Sequence, residues 1–340
     1  MSQLRAAVVG TGHLGQHHAR IYSSMEDVDL IGVVDLEEKR GRQVARKCKT
    51  KWHETYDKIL GELDIASIAV PTKYHFDIAK EFIDAGVAVL IEKPMTATLA
   101  HAQQLVELAA AKGVPVQVGH VERFNPSFVE IRKILDRPGY IEADRISPFS
   151  FRSTDISVVL DLMIHDIDII LHLTQSKVER VDATGVSVLG KNEDVANARL
   201  HFENGCVANL TASRVSMKSE RKIRIFQEDA YVSLDFKDRN ARIYRKTEKM
   251  KEAELDLTKI DPRTLEDPLK FVFGNYIKVK KVKMGKEEPL AEELASFVKA
   301  VQTNTPTEVT AEDGLRAIEV AHRIQEAIAE SQRKLGVGCA

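Results

Sequence analysis

The stretch "LRAAVVGTGHLGQHHARIY", residues 4–22, decides the fold. It begins as a short apolar run with a Val pair, stops at Gly10, and continues with helical spacing. Gly10, Gly12 and Gly15 stand as G-x-G-x-x-G at that junction, a weak signal by itself. Here it follows a strand, opens a helix, and is answered 20 residues after Gly15 by Asp35, which ends a second apolar run, "VDLIGVVD" (28–35). That whole context is the signature of a dinucleotide-binding turn. Gly10 permits the tight turn, Gly12 lets the backbone approach a pyrophosphate, and Gly15 lets the helix pack on the strand. The N–H groups at the helix start face the phosphates, with His13 and Leu14 between the glycines as further cofactor contacts.

Working outward, "DIASIAV" (64–70), "VAVLIEK" (87–93) and "VPVQVGH" (114–120) are continuous apolar runs. The helical patterns "KYHFDIAKEFIDAG" and "TLAHAQQLVELAAAKG" lie between them. Strands apolar on both faces, alternating with helices, predict a doubly wound parallel sheet. Asp35 is expected to accept hydrogen bonds from the adenosine ribose hydroxyls and to repel a 2′-phosphate, favouring NAD over NADP. Leu36, Glu37 and Glu38 follow it, and Lys39 and Arg40 are the nearest cations. The carboxyl ends of such strands face the ligand crevice. "IEKP" (91–94) therefore points Lys93 at the nicotinamide, with Glu92 beside it. "PTKYH" (71–75) brings Pro71, Thr72 and His75 to the same crevice, where His75 is either a cofactor contact or an ordinary helix-start residue.

After residue 122 the texture changes. "NPSFVEIRKIL" reads as a helix starting near Asn125, followed by alternating strands with turn signals such as Glu203-Asn204-Gly205. One helix interrupts them, "DLMIHDIDII" (161–170), which carries Asp161, His165 and Asp168 at i, i+4 and i+7 on one face. An imidazole with an ordinary pKa of ~6.5 suits proton abstraction from an alcohol. A metal set and a buried, satisfied His are the competing readings, and with no Cys beside these residues no metal is expected. Asp168 reads as structural. Lys93 suits an oxyanion donor. Arg214 and Lys218 leave a strand where an anionic diphosphate would want such groups, with solvated loop charge as the competing and favoured reading, and "IKVKKVKMGK" (277–286) reads as a solvated strand face. The expected organisation is an α/β chain: a Rossmann domain over 1–122, an α+β domain with a large, mainly antiparallel sheet over 123–288, and C-terminal helices over 289–340 packing back on the first domain.

The 340 residues are 44% hydrophobic and 29% charged, with a formal net charge of −2. That balance gives no electrostatic case for nucleic acid or an anionic membrane. No signal-peptide pattern or spanning run is read, and Cys48, Cys206 and Cys339 are read as free thiols in a cytoplasmic protein.

The glycine turn, "EKP" at a strand end, "GHVERFNP", and D-x-x-x-H in a helix of a following α+β domain together resemble the Gfo/Idh/MocA family over nearly the whole chain. The resemblance implies that Lys93 is the active-site lysine, Asp161 the acid and His165 the catalytic histidine; Arg123 and Arg214 are further expected substrate contacts, and NAD is the expected cofactor. "VPTKYH", "VERFNP" and "LDLMIHDIDII" look most like the branch whose members oxidise the 3-hydroxyl of UDP-N-acetylglucosamine. Many members have Gly near the second position after Asp161; Met163 here is expected to narrow the substrate pocket. A homodimer or homotetramer through the second-domain sheet is implied. The alternatives are an inositol or simple sugar dehydrogenase and a non-catalytic NAD-binding sensor.

Overall fold

The alternation of strand and helix in the first third builds a six-stranded sheet in the order β3-β2-β1-β4-β5-β6, parallel throughout. The structure is a computed structural model that describes residues 3–150, 156–190, 192–252, 260–282 and 285–334. Its first elements are β1 (Leu4–Val9), α1 (Gly15–Tyr22), β2 (Val28–Val34), α2 (Glu38–Cys48), β3 (Lys51–His53), β4 (Ile65–Ile68), α3 (His75–Asp84), β5 (Ala88–Glu92), α4 (Leu99–Lys112) and β6 (Val116–Gly119). The order reverses direction between β1 and β4, which opens a crevice beyond the carboxyl ends of the strands. β4 and β5 are buried along their whole length, as strands covered on both faces must be.

The chain divides into two compact units. One runs to Phe124 and takes in Glu287–Arg323; the other comprises Asn125–Lys286 and the chain from Ile324 on. The segment expected as one C-terminal block, 289–340, is thus split between them.

The second unit begins with α5 (Pro126–Arg132), capped by the Asn125 side chain accepting from Ser127 N, and β7 (Pro138–Ile146). A wide π turn, Val159–Met163, leads into α6 (Ile164–Thr174). There follow β8 (Val178–Val186), β9 (Val195–Phe202), β10 (Val207–Ser213), β11 (Glu220–Gln227), β12 (Ala230–Asp235), β13 (Asn240–Lys246), α7 (Glu248–Glu252), α8 (Pro268–Asn275) and β14 (Ile277–Lys281). The eight strands order as β14-β13-β12-β11-β7-β10-β9-β8, antiparallel except where β10 runs parallel to β7. Strict alternation buries one face, with Ile141, Ala143, Leu200, Leu210, Ile223 and Leu234 at 1% exposure or less. α6 packs against β7, and the π turn against β10. The Lys-rich stretch forms edge strand β14, whose Lys278, Lys280 and Lys281 are exposed, a charged edge that resists further pairing.

The chain ends in α9 (Pro289–Thr303) and α10 (Ala311–Lys334). Leu294, Phe297 and Val298 of α9 join the core around α1, β1 and β2. No helix among the described residues is long and apolar enough to cross a membrane. Cys48 and Cys206 are free; Cys339 lies outside the described residues.

Candidate active site

In the first unit the glycine turn explains its own composition. Gly10 has φ +91°, and a Cβ there would lie 2.6 Å from the Ala69 carbonyl oxygen. A Cβ on Gly15 would lie 1.8 Å from the Gly10 carbonyl oxygen, so α1 starts directly against the strand end. At Gly12 a Cβ would meet no protein atom within 4 Å. Nothing in the chain itself demands glycine there, and the space beside the turn is open. The residues present therefore fit a dinucleotide, with its pyrophosphate at the turn and the exposed His13 and Leu14 beside it.

Asp35 ends β2 almost fully buried, and its carboxylate is saturated. Oδ2 accepts from Thr11 N (2.8 Å), Thr11 Oγ1 (2.6 Å) and Arg40 Nε (3.0 Å). Oδ1 accepts from Glu37 N (2.8 Å) and Arg40 Nη2 (2.7 Å). Burial pushes this carboxyl group up in pKa, and the bonds from Arg40, Thr11 and Glu37 outweigh it, bringing it down to about 2. The sequence placed Lys39 and Arg40 nearby without choosing between them. The first turn of α2 brings Arg40 back onto Asp35 as a bidentate partner.

At the carboxyl end of β4, Pro71 is exposed and Thr72 half-buried, both open to a ligand. His75 is not: it is 1% exposed, with Nδ1 2.9 Å from the Pro94 carbonyl and Nε2 2.8 Å from the Val70 carbonyl. Both carbonyls only accept, so a neutral ring can donate to just one of them. Burial works against the charged form and holds the His75 pKa below its ordinary value. His75 ties two strand-end loops together rather than lining the cofactor. Glu92 is likewise withdrawn, its Oε1 3.0 Å from Nε2 of the fully buried His18. Lys93 follows it, half-buried. Arg123, expected on substrate, is 3% exposed and pairs with Asp313 at 3.1 Å.

In the second unit Asp161 and His165 are half-buried, whereas Asp168 is 1% exposed. The π turn places an extra residue in the turn that carries Asp161, a feature often found at functional sites. Two buried ion pairs brace this helix. Arg145 of β7 donates Nε and Nη2 to Asp166 at 2.9 and 2.8 Å. Arg214, after β10, donates Nε to Asp194 (2.8 Å) and Nη1 to the Ile156 carbonyl just before the helix (2.8 Å). Arg214 at 4% exposure is thus a brace, not an open diphosphate ligand. Met163 is fully buried and narrows no open pocket. Sequence reasoning missed His18 and Arg145, whose partners lie far away in the chain, and named Arg40 only as a nearby cation. Among the described residues no cluster of His, Cys, Asp and Glu could hold a metal ion.

Residues 4–120 match the family described as "Oxidoreductase family, NAD-binding Rossmann fold", and residues 137–233 match its "GFO/IDH/MocA C-terminal domain". The chain is 33% identical over 329 residues to UDP-N-acetylglucosamine 3-dehydrogenase of Acidithiobacillus ferrooxidans, covering 96% of this chain and 98% of that protein. The solved structure of that enzyme superposes with a TM-score of 0.84 over the same shares. The scyllo-inositol 2-dehydrogenase (NAD(+)) of Bacillus subtilis is 29% identical over 234 residues, 63% of this chain and 68% of its own. The inositol 2-dehydrogenase of Rhizobium meliloti is 23% identical over 350 residues, 97% and 98% of the two chains.

Proposed function

The chain belongs to the Gfo/Idh/MocA family of oxidoreductases, and from that premise we propose that it oxidises a sugar hydroxyl to a ketone with NAD⁺, specifically the 3-hydroxyl of UDP-N-acetylglucosamine. The observation that carries the substrate is likeness, along nearly the whole length of both chains, to a dehydrogenase of that nucleotide sugar.

When bound, the nicotinamide supplies the hydride acceptor for the carbinol carbon. Gly10, Gly12, His13, Leu14 and Gly15 hold the pyrophosphate, Asp35 the adenosine ribose, and Pro71 and Thr72 the part of the cofactor beyond β4. The rest of the chemistry is the proton. His165 takes the hydroxyl proton on a ring nitrogen, for which neutral imidazole is suited near neutral pH. Asp161, four residues earlier, orients that ring or holds a neighbouring hydroxyl. Lys93 donates from its ammonium Nζ to the reacting oxygen and stabilises the alkoxide charge that develops there. Atoms balance as one hydride leaving the carbon, one proton leaving the oxygen, and a C=O bond formed.

A second reading, an inositol or simple sugar as substrate, is favoured by one observation: Arg123 and Arg214 are both committed to buried ion pairs, so neither offers itself to a diphosphate. We also propose that the chain works as a homodimer or homotetramer through the open face of its eight-stranded sheet.

The test is NADH absorbance with UDP-N-acetylglucosamine, N-acetylglucosamine and myo-inositol in turn. The nucleotide sugar should be oxidised and the free amino sugar should be far poorer, because remote binding energy positions the ring for reaction. Lys93→Met and His165→Ala should each lower kcat by roughly 10²–10⁴-fold with NAD affinity nearly intact. Equal rates on inositol would promote the second reading. Normal turnover after His165→Ala would remove it from the mechanism, and no NADH with any sugar would favour a non-catalytic sensor.

A further inference from the structure

Burying a carboxylate at the end of β5 is costly unless the group is paired, and an apolar residue would fill the position more cheaply. Glu92 is nonetheless 7% exposed, with one carboxylate oxygen turned to His18 and the other to the backbone of its neighbour, Lys93. Oε1 accepts from Nε2 of His18 at 3.0 Å; a carboxylate only accepts, so Nε2 carries the proton. Oε2 accepts the backbone N–H of Lys93 itself at 3.2 Å. Gly119 of β6 backs the carboxylate so closely that a Cβ there would come within 3.1 Å of Glu92 Cα, Cδ and Oε2. The carboxylate is thus held on three sides. Burial pushes the Glu92 pKa up, and the hydrogen bond and charge of His18, with the charge of Lys93, leave it below its ordinary value.

His18 lies on α1, three residues beyond Gly15, and is 0% exposed. Its Nδ1 meets no hydrogen-bond partner among the described residues, so the bond to Glu92 is the polar contact it makes there. On the other flank of Lys93, His75 of α3 holds the Pro94 carbonyl. The lysine is therefore preceded and followed by residues that buried imidazoles grip from two different helices.

We propose that the His18–Glu92 pair is a positioning device for Lys93, fixing the peptide from which the lysine springs against the helix that opens at the glycine turn. The lysine is in this way registered to the cofactor-binding helix and not to β5 alone. The inference rests on the reading of Lys93 as the group that touches the reacting oxygen.

The test uses His18→Leu, His18→Gln and Glu92→Gln in the full chain. Four quantities are read: thermal unfolding, NADH affinity by fluorescence titration, kcat and KM with whichever sugar the wild type oxidises, and the acylation rate of Lys93 by an amine reagent, followed by peptide mass spectrometry. His18→Leu should bind NADH within about threefold of wild type yet lose roughly 10- to 100-fold in kcat, the scale of a catalytic group misplaced by about 1 Å, with KM little changed. Its Lys93 acylation rate should shift. His18→Gln, which keeps a donor near the Nε2 position, should recover most of both. If His18→Leu does not fold, Glu92→Gln, close to isosteric, carries the same comparison. Equal effects of Leu and Gln, an unchanged Lys93 acylation rate, or a kcat loss matched by lost NADH affinity would overturn the proposal. Acylation separates the two ideas: if it shifts as expected while Lys93→Met turns over normally, the positioning stands and the role given to Lys93 falls.

Discussion

Asp35 is held by Thr11 from the glycine turn, by the Glu37 backbone N–H and by both arms of Arg40, five donors on a carboxylate that offers about four lone-pair sites. A ribose hydroxyl can be accepted only if Arg40 lets go. On the proposed reading of Asp35, a bound ribose takes the place of Arg40, and the released guanidinium is then available to a 2′-phosphate. This gives a prediction in two parts, read by fluorescence titration with NADH and NADPH. Asp35→Ser should narrow or reverse the preference for NAD. Arg40→Ala should tighten NADH, by freeing Asp35, and weaken NADPH, with the NADPH affinity also losing its salt dependence. Tighter NADPH than NADH in the unmodified protein would show that the ion pair, not the carboxylate, sets the preference. The glycine turn and Asp35 were legible in the sequence because their chemistry is local: a turn, a close approach, an acid at a strand end. Arg40 was legible as a nearby cation, but its pairing with Asp35 was not, because it depends on a helix start that folds five residues back.

At the scale of the element, the helix of residues 159–174 shows where legibility stops. The acid–imidazole spacing in "DLMIHDIDII" was readable, and Asp161 and His165 are the half-buried members while Asp168 is enclosed. The braces were not readable. Arg214 finds Asp194 20 residues back in the chain, Arg123 finds Asp313 190 residues on, and His18 finds Glu92 74 residues on. Those partners exist only once strand order is known, so a basic residue in a substrate domain reads as a ligand group until the sheet supplies its acid. Arg214 yields a prediction opposite to the one its sequence position invites. As a substrate contact, Arg214→Ala would raise KM alone. As a brace, it should lower stability by about 3–5 kcal/mol, since Asp194 keeps its bonds from Val188 N and Leu189 N but is left buried without its cation. kcat should fall with it, as the start of the helix loosens. Urea unfolding of Arg214→Ala beside Arg214→Ala/Asp194→Ala checks this: the double variant should recover part of the loss, and a single variant as stable as wild type with a raised KM would restore the ligand role.

At the scale of the whole molecule, the question is what the second face of the eight-stranded sheet is for. One face is sealed by apolar residues at near-zero exposure. The other carries a row of rings across strands: Tyr140 and Phe226 with centroids 5.6 Å apart, Phe226 and Tyr231 stacked at 4.7 Å, and Tyr231 and Tyr244 stacked at 5.0 Å. Beside the rings lies a charged ladder in which Arg224 pairs with Glu142 and Lys222 with Glu220. An antiparallel sheet can face water on one side, with polar residues there. A continuous aromatic row is poorly suited to that exposure and well suited to an interface core with a polar rim. Two copies related by a two-fold axis would lay the row against itself, and the alternating signs of the ladder let each charge meet an opposite one on the partner. The expected outcome is a dimer or tetramer by light scattering after gel filtration. Phe226→Asp or Tyr231→Asp should reduce it to a smaller species, because an unpaired carboxylate would be buried at the centre of the contact. A monomeric wild type, or variants that assemble unchanged, would leave the aromatic row without that role.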